Sequence, residues 1–143
     1  MKILRTLTLS LVFIAGSVTL KAASSEPTEK VFTVKDVMNT YVSAMTHGFL
    51  KNFESIVDQN AKFILLRGKT LVSFTKAEML SFLLENQGLE LGCSVNKSIT
   101  TSDDDMALVK VDMVYEDFTR TNYLTIANTA SGWKITEVYS VFK

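Results

Sequence analysis

The sequence predicts an α+β domain in which three N-terminal helices pack in the concave face of a strongly curved antiparallel sheet. Three observations carry this. Amphipathic helical spacing is concentrated before Gly88. Long alternating, strand-like runs then follow one another from Leu89 to Phe142. The last run opens with Gly132-Trp133-Lys134-Ile135 and is apolar on both faces. Helices first and a meandering sheet afterwards is the order of a layered α+β domain, with space for a pocket between the layers.

The first helix is expected to start at Thr33. Asp36 stands three residues on, which is an N-cap pattern. Val34, Val37, Met38, Tyr41, Ala44 and Met45 then share a face, and Gly48 marks the break. A short second helix is expected from Leu50 to Val57, with Phe53, Ile56 and Val57 inward. Asp58, Gln59 and Asn60 read as a polar turn. Phe63 to Leu66 reads as a short strand, which Arg67-Gly68-Lys69 turns into a second strand at Thr70 to Ser73.

The third helix carries the fullest set of signals. Thr75 and Glu78 form a capping box, Phe74 and Met79 stand as a hydrophobic staple, and Gly88 is the expected C-terminal cap. In the strands that follow, Leu89, Leu91, Cys93 and Val95 alternate with polar or small residues, with Gly92 as a candidate bulge. Ser102 to Asp105 is a hairpin turn. Ala107, Val109, Val111, Met113 and Tyr115 alternate with Lys110, Asp112 and Glu116. Arg120 to Ala127 is the next strand. In the final one, Trp133, Ile135, Tyr139 and Val141 are assigned to one face, with Val138 and Phe142 on the other. A strand that is apolar on both sides sits mid-sheet, lines a pocket or meets a partner chain.

The N-terminus reads as an export signal. Lys2 and Arg5 form a basic start, Leu7 to Leu20 is almost entirely apolar or small, and Ala22, Ala23, Ser24 and Ser25 follow. We assign residues 1–23 to a signal peptide, 24–30 to a tether that holds the only proline, Pro27, and 31–143 to one domain. The apolar run is about 14 residues, short for a bilayer core, so no stable membrane insertion is expected after cleavage. The location expected is therefore periplasmic or secreted. Cleavage removes Lys2, Arg5 and Lys21 and leaves a net charge of about −3, without a basic patch to neutralise phosphates. Nucleic acid is excluded as a partner on that ground. The one cysteine, Cys93, has no internal partner for a disulfide.

This order of elements resembles the nuclear transport factor 2-like superfamily of α+β cones. Gly132-Trp133-Lys134-Ile135 with Val138 is similar to that superfamily's usual last strand. Tyr123-Leu124-Thr125-Ile126 resembles a strand common in its secreted bacterial members, which are often catalogued as lumazine-binding or polyketide-cyclase-like proteins. The resemblance spans Val31 to Lys143. It implies a cone-shaped, cystatin-like domain whose members often dimerise through the open sheet. Isomerases and dehydratases share this fold with transport adaptors, so the fold alone does not choose an activity.

Candidate chemistry is sparse. The resemblance places the isomerases' carboxylate base near Leu65, where Ile64, Leu65 and Leu66 offer none. Tyr41 could supply a phenol, and equally reads as a core aromatic with a polar tip. His47, the only histidine, could move a proton, and equally suits the dipole at a helix end. Asp58 could be a pocket acid or a turn cap, and Asp112 a pocket acid or part of a solvated ladder with Lys110 and Glu116. Asp103-Asp104-Asp105 lacks the ligand spacing of a calcium loop, and one His with one Cys makes no zinc cluster, so neither metal nor cofactor is expected.

The sequence thus favours a non-catalytic domain that takes a small or apolar ligand in the cone, or assembles as a homodimer through its sheet, or does both. Tyr41, Met45, Phe63, Leu65, Met113, Tyr115 and Tyr139 are the expected pocket residues. The alternative is a cofactor-free lyase or isomerase using Tyr41, His47, Asp58 or Asp112. A third reading is an adaptor whose cone is filled by Phe49, Phe53 and Trp133. Convergence separates them: an enzyme gathers polar groups on one spot, whereas a binding module presents an apolar cavity with one or two polar anchors.

Overall fold

The computed structural model describes residues 30–143. The signal-peptide assignment and nearly all of the tether lie outside these residues. Two α-helices, α1 (Val34–His47) and α2 (Lys76–Glu85), accompany six strands: β1 (Val57–Arg67), β2 (Thr70–Thr75), β3 (Ser94–Ser102), β4 (Met106–Val114), β5 (Thr119–Thr129) and β6 (Gly132–Phe142). They form one sheet in the order β2-β1-β6-β5-β4-β3. All neighbours are antiparallel except β1 and β6, which run parallel.

Both helices begin as the sequence dictates. At each, the threonine side chain accepts from the backbone amide three residues on, and the acid there accepts from the threonine's own amide: Thr33 with Asp36, and Thr75 with Glu78. These reciprocal bonds satisfy donors that a helix start leaves unpaired. They also hold both carboxyls below the ordinary range, chiefly because each accepts from a backbone amide. At its other end α1 closes on Gly48, whose φ of 63° is left-handed.

The expected second helix is not formed. Leu50 to Val57 holds only a single 3-10 turn, Glu54–Ile56, so the described residues contain two α-helices where three were expected. Asn52 takes a left-handed φ of 67°, and Val57 is already paired in β1. The intervening residues are too few for a helix to propagate. Phe53, Ile56 and Val57 are nevertheless buried as expected.

Asp58-Gln59-Asn60 is likewise part of β1. Its turn chemistry is present, the Asn60 amide donating to Asp58 Oδ1 at 2.9 Å, but it shapes an irregularity where pairing with β6 shifts between Val57 and Lys62. Helix α2 ends on Asn86, two residues before Gly88. Leu89 to Cys93 is irregular, and the bulge in this strand lies between Ile99 and Thr101 instead of at Gly92.

The inward face of the sheet makes the core. Ala107, Val109, Val111 and Met113 of β4 pack with Leu124 and Ile126 of β5 and Val37, Met38, Tyr41 and Met45 of α1. Strand β6 departs from simple alternation. Ile135 pairs with Ile126 and Glu137 with Thr125, leaving Thr136 as the extra residue. That bulge turns both Ile135 and Val138 inward, and it puts Tyr139 and Val141 on the outer face, away from Ile135. No helix among the described residues is long and apolar enough to cross a membrane.

Candidate functional site

Helix α2 does not close the inner face completely. Between it and the sheet lies a cleft of about 560 Å³. Its walls follow from strand parity. Phe63 and Leu65 point inward from β1, and Phe74 of β2 stands directly across from Phe63. Met79 and Phe82 close the α2 side, while Met45 of α1 and Phe142 of β6 also line it. The volume is in the range that small organic ligands occupy, and the lining is mainly apolar with few polar groups, as such sites are.

The polar groups on the sheet side are Arg67, at the exposed end of β1, and a cluster from β5 and β6. The inward positions of β5 run Arg120, Asn122, Leu124 and Ile126, so one half of that face is polar and the other is core. Arg120 Nε donates to Asn122 Oδ1 at 3.0 Å, and its Nη2 donates to Ser140 Oγ at 3.3 Å. Ser140 in turn donates to Asn122 Oδ1 at 2.6 Å. The guanidinium carbon lies 5.8 Å from the ring centre of Phe142, in reach of a cation–π interaction. Arg120 and Ser140 line the cleft, whereas Asn122 is fully buried behind them. The ion pairs among the described residues are Lys110–Asp112 and His47–Glu90, so Arg120 faces the cleft with neutral partners alone.

Each residue singled out in the sequence has a definite place. Met45, Phe63 and Leu65 line the cleft. Tyr41 and Met113 are fully buried in the core and do not line it. Tyr41 Oη has no hydrogen-bond partner, and burial pushes its pKa up to about 12, an effect the charge of Arg120 partly opposes. Tyr115 is half-buried against Phe118, their rings stacked 4.5 Å apart, and burial followed by the neighbouring Cys93 raises its pKa. Tyr139 is on the opposite face of the sheet, across from Tyr123, because the Thr136 bulge reverses the parity assigned to it.

His47 sits in the last turn of α1, its Nδ1 within 2.7 Å of Thr46 Oγ1 and its Nε2 3.8 Å from Glu90. Asp58 accepts from the Asn60 amide. Asp112 is on the outer face, where bonds from Lys110 and then Thr121 hold its pKa low. Tyr41, His47, Asp58 and Asp112 thus stand in the core, at a helix end, in a strand bulge and on the outer face. The geometry gathers none of them around the cleft. Phe49 is exposed and does not fill the interior. Among the described residues there is no cluster of His, Cys, Asp or Glu that could hold a metal ion.

Sequence reasoning missed Arg120, Asn122 and Ser140. The available signal was parity: Arg120 and Asn122 share a face with Leu124 and Ile126, where a core strand would carry apolar residues.

Comparison with known proteins agrees with this architecture. A family model described as "Putative lumazine-binding" matches residues 29–140. No curated protein matches the chain. Among solved structures, an NTF-2 like protein of unknown function from Silicibacter pomeroyi is 18% identical, with a TM-score of 0.64 over 76% of this chain and 92% of that one. A protein of the DUF3225 family from Pectobacterium atrosepticum is also 18% identical, with a TM-score of 0.61 over 77% and 88%. A ketosteroid isomerase-like protein from Erwinia carotovora atroseptica is 10% identical, with a TM-score of 0.58 over 76% and 92%. At these identities the likeness concerns the fold.

Proposed function

The chain belongs to the Putative lumazine-binding family of the nuclear transport factor 2-like superfamily, and on that premise we propose that it is an exported, non-catalytic domain that binds a small, largely apolar ligand in the cleft under α2. The observation that carries this reading is the cleft itself: an apolar wall from Phe63, Phe74, Met79 and Phe82, with a compact polar group at Arg120 and Ser140. An apolar cavity with few polar anchors is the form that binding sites take. Export rests on the basic, then apolar, then small-residue layout of the N-terminus.

The same reading includes a homodimer formed through the outer face of the sheet. Leu108, Tyr123, Leu71 and Val114 are exposed there, beside the half-buried Ile64, Leu66, Tyr139 and Val141. The grouping of these side chains on one face supports an interface there, with the Lys110–Asp112 pair of β4 lying among them.

Native mass spectrometry of the protein purified from its own host tests both parts. A dimer carrying a reproducible extra mass supports them. A bare monomer after gentle handling, with no small molecule retained or rebound, removes them.

A further inference from the structure

We propose that Arg120, with Ser140 beside it, is an anion-binding subsite, and that the ligand of the cleft is an apolar acid whose carboxylate docks on this arginine. The inference rests on the binding reading above and adds the chemical class of what is bound.

A guanidinium carries five N–H donors and cannot lose its proton in a protein. Here Nε and Nη2 donate to Asn122 Oδ1 and Ser140 Oγ, and both acceptors are neutral. The other donors have no protein acceptor among the described residues, and no carboxylate pairs with the charge. A cation set into an apolar cleft usually has an anionic partner, because desolvation of an unpaired charge is costly.

The hydrogen bonds also give the cluster a direction. Ser140 donates its hydroxyl hydrogen to Asn122 Oδ1, so its lone pairs accept from Arg120 and hold the guanidinium from behind. Phe142 supports it further through the cation–π contact. Arginine held in this way presents its remaining fork to a planar, two-oxygen acceptor, and carboxylates fit that fork. Beyond the charge, Phe63, Phe74 and Phe82 provide an aromatic wall for the rest of the ligand. Three other charged residues line the cleft: Arg67 at the exposed end of β1, and two acids from α2. The Glu78 carboxylate is turned to Thr75 by the capping box, and Glu85 stands at the exposed end of the helix.

The test uses one apolar body with three head groups. Naphthoate, naphthylmethanol and naphthylmethylammonium are titrated into the full-length protein by calorimetry, in low and high salt. The expected result is naphthoate binding about tenfold or more tighter than the alcohol, with the ammonium weakest. The preference shrinks as salt rises. In Arg120→Gln, naphthoate falls to the level of the alcohol while the alcohol itself changes little, and Arg120→Lys keeps part of the preference.

Equal binding of acid and alcohol to the unaltered protein overturns the anion subsite and leaves the apolar cleft standing. Tightest binding of the ammonium overturns it too, and gives the head-group choice to Glu78 and Glu85. Binding of none of the three at millimolar concentration overturns the binding reading and this inference together. If Arg120→Gln fails to fold, Arg67→Gln keeps the test, since Arg67 also lines the cleft: the acid preference survives in that variant when Arg120 holds the carboxylate, and its loss there overturns the proposal.

Discussion

Ser140 Oγ donates to Asn122 Oδ1 at 2.6 Å, and both side chains are buried where β6 pairs with β5. The same carbonyl oxygen accepts from Arg120 Nε at 3.0 Å. One asparagine oxygen therefore fixes a serine and an arginine together. Removing that acceptor orphans two donors, whereas removing the serine hydroxyl takes away its bond to Asn122 and the longer one from Arg120 Nη2, at 3.3 Å, but leaves Arg120 Nε on Asn122. Asn122→Ala is expected to destabilise the domain by about 2–3 kcal/mol and Ser140→Ala by about 1 kcal/mol. The double variant should lose less than the sum, because the groups form one network. Urea unfolding followed through Trp133, the only tryptophan, measures all three. If Ser140→Ala proves the costlier single change, Asn122 is not the hub.

Tyr41 presents the opposite case, a buried polar atom without a partner. Its hydroxyl contributes desolvation cost and no hydrogen bond, so Tyr41→Phe should be neutral or stabilising by up to about 1 kcal/mol. The pH dependence has a definite sign. Burial raises the folded-state pKa to about 12, above the ordinary tyrosine value of 10.0. Below pH 10 the phenol is protonated in both states, and its contribution is constant. Above that, the unfolded chain loses its proton first, so stability falls as pH rises towards 12, by at most about 1.4 kcal/mol per pH unit from this group. Tyr115, also raised, adds to the same fall. Melting temperatures at pH 9 and pH 11 should therefore differ more in the unaltered protein than in Tyr41→Phe. An equal drop in both would show that Tyr41 titrates normally.

Gly48 closes α1 with a φ of 63° and lies against the chain that leaves α2. The Gly88 amide donates to the Gly48 carbonyl at 3.2 Å. A Cβ on Gly48 would be driven into the backbone nitrogen of Gly88 and stand 2.9 Å from that of Leu89. Backbone cannot rotate away as a side chain end can. Gly48→Ala thus combines left-handed strain with a steric clash, and should cost about 2–4 kcal/mol. Gly68 has a similar φ of 62° and nothing within 4 Å of the added carbon, so Gly68→Ala should cost only the strain, about 1 kcal/mol. Chemical denaturation of the pair separates the two effects, and similar losses would mean that the clash is relieved.

Much of the fold was legible because its signals are local. The capping boxes at Thr33 and Thr75 stand where the sequence puts them, and β4 keeps strict alternation, with Ala107, Val109, Val111 and Met113 all buried. The misreadings share a cause that is not local. Phe53 and Ile56 are spaced as on a helix, yet Asn52 turns left-handed and Val57 is drawn into pairing with β6, a partner distant in sequence. The parallel join of β1 to β6 has no sequence signature in either strand. At the candidate site, Met45, Phe63 and Leu65 follow from helix spacing and strand parity. Arg120 and Ser140 meet only once β5 and β6 are in register, and the bulge at Thr136 sets which β6 residues face them.

That bulge makes the last prediction. Ile135 and Val138 are three apart, so a regular strand would send them to opposite faces. Thr136 absorbs the difference, anchored by a bond from its hydroxyl to the Thr125 carbonyl at 3.2 Å. Deleting Thr136 leaves Ile135 and Val138 two apart, and the pairs Ile126–Ile135 and Thr125–Glu137 become consecutive. The core pattern then survives on a straighter strand, with an expected loss of about 1–2 kcal/mol for the altered bend and the lost bond. Deleting Tyr139 instead moves Ser140 off the inner face or forces Val138 outward, since a one-residue slip inverts every side chain beyond it. That variant should lose more than about 4 kcal/mol or fail to fold. Circular dichroism and urea unfolding of the two deletions decide between them: a Thr136 deletion as damaging as that of Tyr139 would show that the bend, and not the parity it restores, is what the domain requires.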